Sequence, residues 1–305
     1  MPNPPANTVL FLMGPTASGK TDLAIKISQK VSSRLISVDS ALIYQGMDIG
    51  TAKPNIATLK AHPHYLIDIC KPSDTYSAQD FVNDATHQIE LAFSQNKLPI
   101  LVGGTSFYFN ALEFGLSDLP ESTSESREKY NQLVKAKGLE KLYQSLQKID
   151  PIAAQRIHAN DSQRITRALE VFDISGKTLT ELQGKKQGGL NCVIKKIILM
   201  PDRSELHQRI ETRFHLMMEQ GFMDEVRVLK ANIALHQDLP SIRCVGYRQA
   251  WQFLNNELNE AEMIERSIIA TRQLCKRQST WLRNETQGLK LKTADIKKAV
   301  NFIQE

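Results

Sequence analysis

Gly14-Pro15-Thr16-Ala17-Ser18-Gly19-Lys20-Thr21 reads G-x-x-x-x-G-K-[ST], which is the P-loop pattern. The apolar run Val9-Leu10-Phe11-Leu12-Met13 enters it, and the helix-forming segment Asp22-Leu23-Ala24-Ile25-Lys26-Ile27 leaves it. Strand, glycine-bearing loop and helix, in that order, are the context in which this pattern binds phosphate. Gly14 and Gly19 let backbone N–H groups converge on an anion, and the helix N-terminus after Gly19 adds partial positive charge. Lys20 supplies a full charge to a terminal phosphate, and the Thr21 hydroxyl is a candidate ligand for Mg²⁺. The pattern does not say which phosphate compound binds.

Outward from this stretch, strands and helices alternate. Leu35-Ile36-Ser37-Val38 reads as a buried strand ending in the carboxylate of Asp39. Ligands of α/β sheets bind at the carboxyl ends of strands, so Asp39 is expected to face the same crevice as Lys20. The stretch 41–53 is irregular and is closed by Pro54. Tyr65-Leu66-Ile67-Asp68-Ile69 is a further strand candidate. Ser77 is an N-cap, with Asp80 at N3, for a helix over 78–95. Leu98-Pro99-Ile100-Leu101-Val102 is a strand running into Gly103-Gly104-Thr105, with a helix from Ser106. Such β–α alternation predicts a P-loop NTPase-like α/β fold, a parallel sheet flanked by helices.

The pattern changes at Leu119-Pro120. From 121 to about 189 it is helical, with amphipathic segments at 124–137, 139–148 and 161–174 and no convincing strand. Residues 184–190 read as a polar, glycine-rich linker, after which 193–200 returns as a strand. An all-helical domain over 121–190, inserted into a core of 1–120 and 191–305, is the economical organisation. A long helix over 204–229 carries an apolar face with Gly221 as a possible break, and another helix spans 261–282.

Composition narrows the class. The chain has 305 residues and a formal charge of +5, a mild basic excess that permits nucleic-acid binding without establishing it. Cys70, Cys192, Cys244 and Cys275 are far apart and form no C-x-x-C pair, which argues against a zinc ribbon or a disulfide framework and suits a reducing cytoplasm. Met1-Pro2-Asn3-Pro4-Pro5 lacks the features of a signal peptide, and no apolar run approaches the roughly 20 residues of a membrane span. No membrane association is expected, and the default state is a monomer.

Several residues are candidates for chemistry. Asp39 suits Mg²⁺ ligation, a general base beside the phosphates, or a loop cap. Asp68 reads as structural. Thr105 and Tyr108 are placed to line the crevice after the Gly103-Gly104 turn. Residues 243–283 hold seven Lys/Arg and four Glu, interleaved with Tyr247, Trp251 and Trp281. That mixture fits phosphate contact and base stacking on RNA, or a solvated helical face. Gln163-Arg164-Ile165-Thr166-Arg167 is a second phosphate-contact candidate and Arg127 a third. No D-D-x-x-D cluster is present to clamp a diphosphate, so any diphosphate must use the P-loop.

The blocks GPTASGKT at 14–21, ISVDSALIYQGMDIGTAKP at 36–54 and PILVGGTSFYFNAL at 99–112 resemble the bacterial tRNA dimethylallyltransferases. So do RALEVFDISGKTLTEL at 167–182, DLPSIRCVGYRQ at 238–249 and ATRQLCKRQSTWLR at 270–283. The resemblance implies transfer of a dimethylallyl group from dimethylallyl diphosphate to N6 of the adenosine 3′ of the anticodon, with diphosphate leaving and Mg²⁺ as cofactor. It implies that residues 14–21 hold the donor's diphosphate, that Asp39 is the general base, that Thr16 lies beside the transferring group, and that Lys20 and Thr21 with Mg²⁺ stabilise the charge of the leaving group. It further implies contacts to the tRNA anticodon stem-loop by Asp39, Ser40, Ala41, Leu42, Thr105 and Arg127, and by Gln163, Arg164, Ile165, Thr166 and Arg167. The same holds for Arg243, Cys244, Val245, Gly246, Tyr247 and Arg248, and for Ala270, Thr271, Arg272, Gln273, Leu274, Cys275, Lys276 and Arg277. The helical block over 121–190 is then the family's tRNA-contacting insertion. The zinc finger of eukaryotic relatives has no Cys/His counterpart here. On the residues alone, a P-loop small-molecule kinase using ATP and a non-catalytic RNA-binding protein are the alternatives.

Overall fold

All six residues of Thr8–Met13 are buried. A strand covered on both faces reads as a continuous apolar run because neither side meets water. In a computed structural model, which describes residues 7–184 and 186–305, this strand (β1) leads to α1 (Lys20–Ser28), β2 (Ser33–Val38), α2 (Ile56–Ala61), β3 (His64–Tyr65), α3 (Ala78–Ser94), β4 (Leu98–Gly103) and α4 (Ser106–Phe114). Then come β5 (Leu116–Ser117), α5 (Ser124–Lys137), α6 (Leu139–Ile149), α7 (Pro151–Arg156), α8 (Ser162–Ser175), α9 (Leu179–Leu182) and β6 (Lys186–Gln187). The chain ends with β7 (Val193–Leu199), α10 (Arg203–Glu219), α11 (Phe222–Ala231), α12 (Tyr247–Leu254), α13 (Glu260–Arg283), β8 (Leu289–Leu291) and α14 (Ile296–Gln304). Residues 1–5, read above as lacking a signal peptide, lie outside the described residues.

Two units form. One holds the residues up to Ala111 together with Asn191–Glu305, and the other holds Leu112–Leu190. The first contains a six-stranded sheet in the order β3-β2-β4-β1-β7-β8, with every pairing parallel. Its register aligns the loops that matter. Gly103 pairs with Met13 of β1 on one side and with Val38 of β2 on the other. The P-loop, Asp39 and Gly104 therefore leave three adjacent strands at one level, on the carboxyl edge where α/β sheets bind ligands. Leu10, Leu12, Leu23, Ile27, Ile100 and Ile197 pack one core of this unit. A second cluster, built on Phe214, Phe222, Tyr247 and Trp251, joins α10 to α13.

Local chemistry explains most element ends. Ser77 and Asp80 form a reciprocal capping box at the start of α3. Gly221, with φ 93°, separates the expected long helix into α10 and α11. The third strand is shorter than its apolar run implies: β3 stops at Tyr65 because Leu66 and Asp68 adopt left-handed backbone, φ 63° and 57°. The unit 112–190 is helical around Leu142, Leu146, Ile165 and Val171. It also holds an antiparallel pair, β5 with β6, in part of the stretch expected to be a linker. The two-residue β6 is too short to leave a period in the sequence. Among the described residues no helix is long and apolar enough to cross a membrane.

Candidate active site

The P-loop closes on itself through the Ser18 N–H, which donates to the Pro15 carbonyl at 3.2 Å. Ala17 takes left-handed backbone, φ 64°, and Gly19, φ 86°, stands at the N-cap of α1 without a side-chain cap. The first N–H groups of α1 are thus left to an anion. Ser18 is 3% exposed, and its Oγ has no hydrogen-bond partner among the described residues. A buried hydroxyl without a partner is costly, and an oxyanion in the loop supplies one. The Lys20 Nζ rests on the Pro15 carbonyl at 3.3 Å. Burial brings Lys20 down to about 8; Asp39 opposes this and Arg213 adds to it.

Two arginines from α10 complete the cradle. Arg213 donates to the Thr16 Oγ1 at 2.7 Å. Arg209 donates to the carbonyls of Ala17 and Ser18 at 3.2 and 3.3 Å, and is itself oriented by Glu205 at 2.5 Å. Lys20, Lys26, Arg209, Arg213 and Lys292 line a cavity of about 470 Å³ over the loop, with Asp22 at its rim. The sequence reading missed Arg209 and Arg213. Their spacing of four on one helix was the available signal, overshadowed by the apolar stripe that they border.

Asp39 follows β2 directly. Its Oδ1 accepts the N–H groups of Ala41 at 2.8 Å and Leu42 at 3.3 Å, so the loop-capping role is real. The second carboxylate oxygen has no hydrogen-bond partner among the described residues and is left for a ligand. Ser40 N–H donates to Thr105 Oγ1 at 3.2 Å, and Thr105 N–H to the Val38 carbonyl at 3.3 Å. Gln278 of α13 accepts the Thr16 N–H at 2.8 Å and donates to the Gly104 carbonyl at 3.0 Å. Burial raises the Tyr108 phenol above its ordinary range, so it stays neutral.

The remaining RNA candidates divide by face. Ser40, Arg243, Arg248, Gln273, Lys276 and Arg277 are exposed, while Ala41, Leu42, Thr105, Cys244, Val245, Ala270, Thr271, Arg272 and Leu274 are half-buried. Arg243 and Arg248 line a second cavity of about 350 Å³ with Asp238 and Trp251. Arg272 is paired with Glu211 at 2.6 Å. Three side chains do not serve as surface contacts. Tyr247 is 0% exposed and donates to Glu225 at 2.5 Å; Cys275 and Ile165 are buried on the inner faces of α13 and α8. A contiguous run on a helix always turns some members inward. Trp251 is likewise core, and buried Gly246 starts α12. In the unit 112–190, Arg127, Gln163 and Arg164 are exposed and Thr166 is half-buried, bonded to the Ser162 carbonyl. Arg167 is engaged with Glu170 at 2.7 Å and the Pro120 carbonyl at 2.6 Å.

Comparison with known proteins assigns a family. The model of the family described as IPP transferase matches residues 42–285. The tRNA dimethylallyltransferase of Ruthia magnifica subsp. Calyptogena magnifica is 68% identical over 296 residues, 97% of each chain. That of Vesicomyosocius okutanii subsp. Calyptogena okutanii is 66% identical over the same coverage. The crystal structure of the tRNA isopentenylpyrophosphate transferase of Bacillus halodurans superimposes with a TM-score of 0.72 at 33% identity, over 98% of this chain and 96% of that one. A eukaryotic dimethylallyltransferase, solved acting on tRNA, reaches 0.75 at 26% identity over 91% and 70%. A family model over most of the chain, and relatives two-thirds identical along nearly all of it, establish that the chain belongs to the IPP transferase family.

Proposed function

We infer that the protein is a tRNA dimethylallyltransferase, moving a dimethylallyl group from dimethylallyl diphosphate to N6 of the adenosine 3′-adjacent to the anticodon. The observation that carries this is a cationic P-loop cavity after β1 together with Asp39 at the end of β2, the two strands flanking β4 at one level of the sheet. The allylic C–O bond breaks and its electron pair leaves with diphosphate. The N6 lone pair forms the new C–N bond, and the N6 proton passes to Asp39. Lys20, Arg213 and the N-terminus of α1 meet the charge that grows on the leaving group. Asp39 orients the amine and takes its proton during or after attack.

Mg²⁺ fits the donor set. No group of three or more His, Cys, Asp or Glu forms a metal cage among the described residues. Mg²⁺ bound to substrate phosphates needs few protein ligands and keeps its waters; here the Thr21 hydroxyl would hold it. Bound there, it would supply charge neutralisation on the diphosphate. The target base must leave its stack to reach Asp39, and the exposed Arg243, Arg248, Lys276, Arg277, Arg127, Gln163 and Arg164 suit the anticodon stem-loop. The reading includes a monomer working in the cytoplasm, where tRNA is processed. An ATP-dependent kinase is not favoured, since the matched relatives are named tRNA dimethylallyltransferases and not kinases.

The test is radiolabelled dimethylallyl diphosphate with Mg²⁺ and unmodified tRNA. Label is expected in acid-insoluble RNA, with Asp39→Asn slowing the transfer about 100-fold at unchanged tRNA affinity. Label that stays acid-soluble with the wild-type protein rejects the assignment.

A further inference from the structure

Gln278 has no part in the reading above, yet its side chain bonds both the P-loop and the turn after β4. It is 262 residues from Thr16 and 174 from Gly104, and bridges both with one planar carboxamide. The slot it fills is tight. A Cβ on Gly104 would stand 2.4 Å from the Gln278 Nε2 and 3.1 Å from the Gly14 carbonyl. The two backbone groups it joins belong to opposite sides of the reaction. Thr16 belongs to the donor cradle, with its hydroxyl held by Arg213. Gly104 precedes Thr105, whose hydroxyl holds the Ser40 N–H beside Asp39.

We propose that Gln278 is a positioning residue that sets the spacing between the donor cradle at Thr16 and the acceptor side at Gly104–Thr105 and Asp39. The proposal rests on the prenyl-transfer reading. A carboxamide presents one acceptor and one donor side by side at any pH. A carboxylate cannot donate to the Gly104 carbonyl, and an ammonium or guanidinium cannot accept from Thr16. Gln278 follows the exposed Lys276 and Arg277 on α13, so the helix that presents these cations to RNA also braces the P-loop. The distance between an amine and an allylic carbon governs how often they reach attack geometry, and small misplacements are costly.

The experiment uses the full chain, labelled dimethylallyl diphosphate and unmodified tRNA under single-turnover conditions. Gln278→Ala is expected to slow transfer about 100-fold, while affinities for tRNA and for inorganic diphosphate keep their wild-type values. Gly104→Ala, which drives a methyl into the carboxamide from the other side, gives the same pattern. Gln278→Glu is slow at high pH because the ionised carboxylate faces the Gly104 carbonyl. Its rate relative to wild type rises as pH falls, since the protonated carboxyl regains a donor. A relative rate for Gln278→Glu that is flat with pH overturns the proposal. So does a loss in Gln278→Ala explained entirely by weaker diphosphate or tRNA binding. A wild type that transfers no label overturns the prenyl-transfer reading and the brace with it; one that transfers while the variants match it overturns the brace alone.

Discussion

Lys20 sits where a lysine gives up its proton easily. Burial brings it to about 8, and the Asp39 carboxylate only partly offsets this. Below that pH the ammonium is charged and attracts diphosphate; above it the neutral amine does not. Binding an anion favours the charged form, so the site takes up a proton on binding as pH passes about 8. Affinity for the donor diphosphate is therefore expected to fall as pH rises through this value. Calorimetry in buffers of different ionisation enthalpy checks it: proton uptake grows as pH rises through this value in the wild type and is missing in Lys20→Met. Equal uptake in both proteins would assign the proton elsewhere. Lys20, Thr21 and Asp39 sit in short local patterns. Arg209, Arg213 and Gln278 reach the loop from helices far along the chain, and the spacing of the two arginines does not say what they touch.

The loop after Asp39 is held as a unit by two clamps. Lys53, with only 3% of its side chain exposed, bonds Asp48, Asp68 and the Tyr44 carbonyl. This explains why Asp68 reads as structural. Glu225 of α11 accepts the N–H groups of Asp48 and Ile49 at 2.8 Å and of Gly50 at 3.2 Å, and the Tyr247 hydroxyl at 2.5 Å. One carboxylate thus ties the loop that begins at Asp39 to α12, next to Arg243 and Arg248. Burial pushes the Tyr247 phenol far above its ordinary range, so it remains a donor. A carboxamide must turn a donor toward at least one of these donors. Glu225→Gln is expected to cost about 2 kcal/mol of stability and to weaken tRNA binding more than diphosphate binding. Thermal melts and binding isotherms read both effects; an unchanged melting temperature would show that the clamp is slack.

Across both units the charge is +5, and exposed basic groups occur in each: Arg243, Arg248, Lys276 and Arg277 in one, Arg127 and Arg164 in the other. Phosphate binding by such groups releases counterions and makes affinity fall with salt. Arg277 is exposed and has no ion-pair partner among the described residues. Arg277→Ala is expected to weaken tRNA binding and to lower the slope of log affinity against log salt by about 1. A filter-binding series over salt concentration measures it, and an unchanged slope would give Arg277 a structural role instead. Arg167 and Arg272 are held by Glu170 and Glu211, so part of their charge is already answered within the protein.

The P-loop, the parallel α/β core and the helical character after Pro120 were legible from residue order, because each depends on neighbours a few positions apart. Asp39 was placed at the crevice for the same reason: a strand end next to a P-loop leaves few other positions. The limits were equally physical. The run ending in Ile69 was apolar enough for a strand, but left-handed backbone at Leu66 and Asp68 ended it early. Tyr247 and Trp251 carried the composition of a stacking surface, yet burial made them core. Motif and period are local quantities, so residues 14–21 read as a phosphate cradle without any knowledge of the fold. The Arg213 and Gln278 contacts that complete it join residues 197 and 262 positions apart, and only the folded chain brings them together.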